Sequence, residues 1–485
     1  MQPASTIDSA EVDDAPLEPS GGIGSLGAIL GLLVLAWGAV LASTPLNDNS
    51  FFTHLATGRL ILDEGRVPTS DPYTFTALGE PWTVQSWLAS LLYAGAEQLA
   101  GGVGLRLVTV ALFVTAMGLI WTLTRPAPTV IGRVLAVAPA IAVATGVWTP
   151  RPYMVGVIGL ALILLALEGR VPPLALVPVL WVWANAHGSF PVGAGLVVLV
   201  AIGALVDGER PVAQVRVLAA VAGGVLLAVI GPLGLRALFF PVKALTQSSA
   251  LGEVTEWQPP GYDSIGERGY LVLVCMTVLA LVHRRARWSI TLPAVGFAAS
   301  GLLAQRNIVF ATVVLIWSFA STVGPIGSLR SDDRPRIGTA FVAVLAVALL
   351  GAALVASTTP PNALVGHPDR ALAWLEAVDP ADGGRLASQD TTGNLLEVLD
   401  GATGEVFVDD RVDMLPEDVF RDEIILARGR LGWQDVLDRW DIDVVLWERG
   451  SSLAQMLALS SAWRIVFSDV DSVVACRRSA CGPAR

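Results

Sequence analysis

The chain has 485 residues, of which 53% are hydrophobic and only 15% charged, with a mean hydropathy of +0.62. That is too apolar for a soluble globular protein of ordinary composition, so lipid must solvate most of it. The net charge of −11 excludes a basic nucleic-acid surface, and its acids concentrate in the first twenty residues and the last hundred and thirty.

Residues 1–20 are acidic and polar without a basic leader, which predicts a disordered arm rather than a cleavable signal. The apolar runs that follow are about 17–22 residues long, enough to cross a ~30 Å hydrocarbon core. They predict spans near 22–44, 103–123, 128–148, 153–168, 172–187, 190–207, 214–230, 270–283, 288–304, 307–324 and 338–357, about eleven in all. Segment 82–99, WTVQSWLASLLYAGAEQL, is interrupted by Gln85, Ser86, Glu97 and Gln98 and carries Trp82, Trp87 and Tyr93, which suits an interfacial helix.

Cytoplasmic loops are enriched in Lys and Arg. Placing His283-Arg284-Arg285-Ala286-Arg287 inside also places inside Arg125 with Arg133, Arg170, Arg210 with Arg216, and Arg330 with Arg334 and Arg336. The same alternation puts the N-terminus in the cytoplasm. It puts segment 45–102, the turns at Arg151, His187 and Arg306, loop 231–269 and everything after 358 on the outer face.

Pro360-Pro361 breaks the last span, and residues 358–485 read as a small α/β domain. Strands are predicted at GEVFVDD, DIDVVLW, WRIVFSD and DSVVACR, with a turn at Asp471-Ser472. Helices are predicted at DRALAWLEAV, EDVFRDEIILARG, WQDVLDRW and SLAQMLAL. The fold class is therefore a mainly α, polytopic transmembrane helical bundle with a small C-terminal α/β extracytoplasmic domain. Its three parts are 1–20, 21–357 and 358–485. Cys275 reads as packing within an apolar run, whereas Cys476 and Cys481 can pair only if their compartment is oxidising.

The polar residues left over gather in the outer segments. Asp48 stands just past the first span, with His54 six residues on, and a carboxylate there could act as a general base or simply cap the following helix. Arg151, His187 and Arg306 end spans on the same side. Singly each suits a helix terminus, but together they suit an anion, since guanidinium matches phosphate. Loop 244–269 carries Glu253, Glu256, Trp257, Pro259, Pro260 and Asp263, where acids and aromatics suit sugar binding or an ordinary interfacial loop. The histidines have no metal-ligand spacing, and there is no Walker A or GxGxxG motif, so no metal or nucleotide cofactor is expected.

The segments DNSFFTHLATGRLILDEGRVPTSDPYTFT (48–76), PWTVQSWLA (81–89), WANAHGSF (183–190), GPLGLRALFFPV (231–242), EWQPP (256–260), VFVDDRVDML (406–415) and WRIVFSDVDSVVACR (463–477) together resemble the bacterial GT-C glycosyltransferase superfamily. Within it the chain is most similar to a largely uncharacterised bacterial group. The resemblance implies a polyprenyl-phosphate-linked sugar donor, a lipid, glycan or protein acceptor, membrane lipid as surroundings, and an acidic base on the first outer loop. Asp48 and His54-Leu55 match that loop's pattern, but Ser50 stands where a second acid is usual and Thr53 where an aromatic is usual. By this resemblance Asp48 is the catalytic candidate, Arg151, His187 and Arg306 hold the lipid phosphate, and His54, Glu256 and Trp257 orient the sugar or acceptor. Two alternatives share the same residues: a non-catalytic scaffold that binds a partner, and a carrier of lipid-linked intermediates, which the scarcity of charge in the span centres disfavours.

Overall fold

The computed structural model describes residues 26–46, 48–246, 255–327 and 367–482. The N-terminal arm, the predicted span 338–357, the cations Arg330, Arg334 and Arg336, Pro360-Pro361 and Glu253 lie outside the described residues.

The apolar runs fold as helices within a few residues of the predicted limits: α1 (Leu26–Leu41), α4 (Val130–Val147), α5 (Tyr153–Leu167), α6 (Leu176–Ala186), α7 (Pro191–Val206), α8 (Val212–Leu227), α10 (Ile265–Arg284), α11 (Trp288–Leu303) and α12 (Ile308–Thr322). Of the described helices, α4, α10 and α3 (Trp87–Leu123) are each long and apolar enough to cross a membrane, and several others are apolar but shorter. Large apolar side chains such as Leu107, Ile202, Leu226, Leu279, Val282 and Leu303 point outward, the reverse of a soluble protein and the arrangement lipid requires. Cys275 belongs to that outer face. It is exposed on α10 rather than packed, because among the described residues no neighbouring helix covers its side.

Two limits depart from the apolar pattern for local reasons. α10 begins at Ile265, not 270, because Ser264 and Glu267 form a capping box that satisfies the first turn. α3 is two segments, for Ala100 and Gly101 leave helical geometry and Gly101 has φ +56°, ψ −143°, a conformation that favours glycine. The chain folds back so tightly that a Cβ on Gly104 would lie 1.9 Å from the carbonyl oxygen of Ala96. Residues 87–99 thus form a helix distinct from the apolar 102–123, as the polar interruptions of 82–99 predict.

The turns predicted to share a side meet at one end of the bundle. Arg170 Nη1 donates to Thr122 O at 3.3 Å, Trp317 Nε1 to Glu168 at 2.9 Å, Thr129 Oγ1 to Ile326 O at 2.9 Å, and the Trp288 amide to Asp207 at 2.8 Å. At the other end Tyr93 Oη donates to Pro150 O at 3.0 Å and Trp87 Nε1 to Asn185 at 2.9 Å.

On that second end lie α2 (Asn49–Glu64), α9 (Arg236–Thr246) and the C-terminal region. α9 was not predicted, since loop 231–269 carries only a short amphipathic stretch there. The C-terminal region holds a four-stranded sheet, order β1-β2-β4-β3, with β1 (Arg385–Ser388) parallel to β2 (Ile442–Glu448) and β4 (Ser472–Arg477) antiparallel to both β2 and β3 (Trp463–Ser468). Around it pack α13 (Asp369–Val378), α14 (Asp390–Asp400), α15 (Glu417–Ala427), α16 (Trp433–Arg439) and α17 (Ser452–Leu459). Three predicted strands and all four predicted helices form. The predicted strand GEVFVDD does not, and β1 and α14 carried no periodic signal strong enough to be seen. Cys476 and Cys481 form a disulfide.

Residues 406–408 instead leave the sheet to meet the first outer segment. The Phe75 amide donates to Val406 O at 2.9 Å and the Val406 amide to Tyr73 O at 3.1 Å. Tyr73, Ala77, Trp82 and Val84 share one apolar core with Phe407, Val408, Met414 and Leu415. Inside this seam Arg411 donates to Asp71 Oδ1 at 2.5 Å and to Asp409 at 2.9 and 2.5 Å, with its guanidinium 4.3 Å over the Trp82 ring and Glu397 at 3.7 Å. All four charged groups are buried. Burial and Asp409 push the Glu397 carboxyl well above its usual range. Asp409, despite burial, is held below its own by Arg411.

Removing one partner of such a network leaves uncompensated buried charge, at a cost of about 3–5 kcal/mol. Arg411→Met therefore lowers the thermal midpoint of the detergent-purified protein and exposes residues 367–482 to limited proteolysis, while Arg385→Met, at an exposed position, leaves both unchanged.

Candidate active site

The N-terminus of α2 faces the turn at Arg151. Asp48 accepts from the Phe51 amide at 3.3 Å, so it does cap the helix, but its stronger bonds come from Arg151 Nε, at 2.7 and 2.9 Å to its two oxygens. Arg151 also donates through Nη2 to Asn49 Oδ1 at 3.0 Å and through Nη1 to Glu256. Burial disfavours the Arg151 charge, yet Asp48 and Glu256 outweigh it and hold the guanidinium above its ordinary value. Arg151, expected with His187 and Arg306 to hold the lipid phosphate, is clamped between two carboxylates.

Arg306 differs. Its guanidinium lies 4.1 Å over the Trp257 ring, and it makes no ion pair among the described residues. The turn that carries it is fastened to the Trp257 loop by a bond from the Gln305 amide to Gln258 O at 3.0 Å. Burial first, and the nearby Arg151 charge with it, hold Arg306 below its usual value, with Glu256 opposing. A half-buried cation with spare donors, repelled by a second, is a place where an anion is stabilised.

His54 and His187 lie between these groups. His54 Nδ1 is 3.3 Å from Ser90 Oγ, and the α2 backbone approaches α3 so closely at Gly58 that a Cβ there would meet Ser90 O at 2.0 Å. His187 shares a 2.7 Å hydrogen bond with Ser189, its ring centroid is 6.4 Å from that of Tyr153, and Arg306 and Arg151 are its charged neighbours, with the His54 ring also nearby. All seven residues singled out from the sequence therefore converge. Asp48, Arg151 and Glu256 are in direct contact, Arg306 and Trp257 are stacked, and the two histidines lie within electrostatic reach. Among the described residues no three His, Cys, Asp or Glu side chains gather as metal ligands.

The sequence did not reveal that the C-terminal region also reaches this site. Asp410 accepts from Asn49 Nδ2 at 3.1 Å and from the Ser50 hydroxyl, and on its other oxygen from Asn394 Nδ2 at 2.6 Å. Burial raises its pKa to about 6, with the Ser50 bond and Arg151 pulling the other way. The only sequence signal was the run VDDRVD, whose acids carry no address.

No family model and no curated protein matches the sequence. Among solved structures the chain is similar to the Archaeoglobus fulgidus oligosaccharyltransferase tethered to an acceptor peptide containing the NVT sequon, with a TM-score of 0.50 and 12% identity over 86% of this chain and 69% of that one. The chain therefore shares the fold of that oligosaccharyltransferase. The apo form of that oligosaccharyltransferase matches with a TM-score of 0.48 at 12% identity. An arabinofuranosyltransferase from Mycobacteria matches at 0.46 and 16%, over 92% of this chain and 41% of its own. A helical bundle embedded in membrane accounts for the outward-facing apolar side chains.

The His54 ring should be neutral at physiological pH. Burial and then Arg151 lower its pKa to about 4, and Asp48 opposes them less strongly. Because the folded value lies below the unfolded one, near 6.5, this ring supports folding above that range and costs stability as pH falls through it. In detergent micelles, ¹³C-histidine spectra should show a resonance titrating near pH 4 that His54→Gln removes. A titration near 6.5 would mean the ring is solvated.

Proposed function

We propose that the chain transfers a sugar from a polyprenyl-phosphate donor to a hydroxyl of a lipid, glycan or protein at the outer face of the plasma membrane. The observation that carries this reading is the half-buried pair Arg151 and Arg306, one clamped by carboxylates and the other with spare donors, at the polar end of a GT-C-fold bundle. The donor phosphate binds at Arg306 and His187 and draws Arg151 toward itself. That loosens Arg151 from Asp48, which then accepts the proton of the acceptor hydroxyl. The acceptor oxygen bonds to the anomeric carbon as the bond from that carbon to the phosphate oxygen breaks, and the electron pair leaves with polyprenyl phosphate, stabilised by the two guanidiniums. Trp257, Glu256 and His54 orient the sugar. The outward placement of the site and of residues 358–485 is supported by the Lys and Arg distribution and by the Cys476–Cys481 disulfide, which favours an oxidising compartment.

The clamp on Asp48 also favours a second reading, in which Asp48 and Arg151 are only a structural pair. A deletion strain separates the two. Expression of the wild-type chain should restore the surface glycan lost on deletion, whereas Asp48→Asn and Arg306→Ala, at equal protein levels, should each lower its rate of formation by about a hundredfold or more. Undiminished glycan with Asp48→Asn would favour the non-catalytic scaffold. In nanodiscs, undecaprenyl phosphate should bind the wild-type protein and bind Arg306→Ala at least about tenfold more weakly.

A further inference from the structure

The C-terminal region places in the site a carboxylate that none of the seven anticipated residues includes. Asp410 and Asp48 are the ends of one relay, in which Asp48 is held by Arg151 Nε, Arg151 Nη2 donates to Asn49 Oδ1, and Asn49 Nδ2 donates to Asp410. The two acids differ in what occupies them. Asp48 carries a guanidinium on both oxygens. Asp410 carries three neutral donors, Asn49, Ser50 and Asn394, and a carboxylate with about four lone-pair sites keeps capacity for another.

The position of Asp410 is fixed from both sides. One residue along, Arg411 is buried in its network with Asp71 and Asp409, and Thr76 Oγ1 donates to Phe407 O at 2.5 Å. Asn394 at the same time joins Asp410 to Thr53 of α2. A side chain held this way is preorganised.

The wall on which Asp410 stands is acidic. Asp413 is pushed up to about 6 by burial, and Glu423 lies within electrostatic reach of Asp390 and Asp410, its buried Oε2 without a hydrogen-bond partner among the described residues. Arg411 and, less strongly, Lys243 of α9 are the cations that act on Asp413. Across the site stand Arg151 and Arg306. One wall thus suits an anion and the other suits groups that donate hydrogen bonds.

We propose that Asp410 is an acceptor-binding residue: the C-terminal region presents it, seated on Ser50, to a hydroxyl of a neutral glycan acceptor, and the acidic wall around it rejects an anionic one. This rests on the glycosyl-transfer reading above. Sugar hydroxyls donate to carboxylates, whereas a phosphate or uronate acceptor would meet Asp410 and Asp413 as like charges. The short hydroxyl of Ser50 is part of the device. An acid at position 50 would face Asp410 directly, so the second carboxylate can stand on either side of the seam but not on both.

The test uses the full-length chain in the deletion strain, reading the rate at which the missing glycan returns. Asp410→Asn should slow it about ten- to a hundredfold, and Ser50→Asp alone should slow it as well. The double variant Ser50→Asp with Asp410→Ser, which moves the acid across the seam, should recover about tenfold over Asp410→Asn. Arg306→Ala is the reference for the underlying reading. If Asp410→Asn keeps the wild-type rate while Arg306→Ala abolishes it, the assignment of Asp410 is wrong and the transferase reading stands. If both keep it, the transferase reading itself falls. Loss in Asp410→Asn without recovery in the double variant makes Asp410 structural and overturns the proposal. So does a truncated glycan, accumulated on deletion, whose unglycosylated unit carries a phosphate or carboxylate.

Discussion

A buried guanidinium sets how the C-terminal region meets the first part of the chain. Arg411 reaches from the C-terminal region into the first outer segment, where Asp71 meets it, while Asp409 holds it from its own strand of chain and the Trp82 ring covers its face. Charge buried this way is tolerated only when it is paired and its donors are used. The constraint is therefore geometric as much as energetic. It fixes residues 406–413 against residues 71–82, and through them the relation of Asp410 to Ser50. The apolar core that spans the seam gives the bulk of the attachment, but such cores tolerate sliding and repacking, whereas a guanidinium fork does not.

At the opposite side of the site the charges are balanced less completely. Arg151 satisfies Asp48 and Glu256, and Arg306 is left to an aromatic face. A cation over Trp is stabilised by the ring quadrupole, but less than by a carboxylate, and its donors in the ring plane stay available. Such an arrangement costs folding free energy, and sites that do so are commonly those with a ligand to bind. The asymmetry between the two arginines separates a latch, which must be opened, from a receptor, which is open already.

Much of this was legible in the sequence, because lipid imposes a strong rule. A stretch that must satisfy its backbone internally over ~30 Å shows itself as an apolar run, and α4, α5, α7 and α12 fell where those runs lie. Alternation put Asp48, Arg151, His187, Glu256, Trp257 and Arg306 on one side of the bundle, and only the packing of the turns, through contacts such as Arg151 with Asp48 and Arg306 with Trp257, brings them together. What failed was decided by contacts between segments far apart in the chain. GEVFVDD has the alternation of a strand, yet Val406 pairs with Tyr73 and Phe75, more than three hundred residues away, and leaves the sheet. β1 is only four residues long, and α14, DTTGNLLEVLD, hides its helix behind two threonines and a glycine. The glycine is needed there, since a Cβ on Gly393 would lie 1.9 Å from Val408 O.

The same distance in sequence explains why the acidic wall was unreadable. Asp390, Asp410, Asp413 and Glu423 look like the solvated charge of any acidic domain, and only the fold turns them inward against a cationic surface. Once there, each pays a desolvation penalty that water would have spared it, visible in the raised pKa of Asp410 and Asp413. Stability alone would favour serine or asparagine at such positions. Of these acids Asp410 is the one joined to Arg151, through Asn49, so that under the proposed function a donor phosphate at the arginines and an acceptor hydroxyl at Asp410 lie at opposite ends of one hydrogen-bonded relay, which fixes the order in which the two substrates face each other.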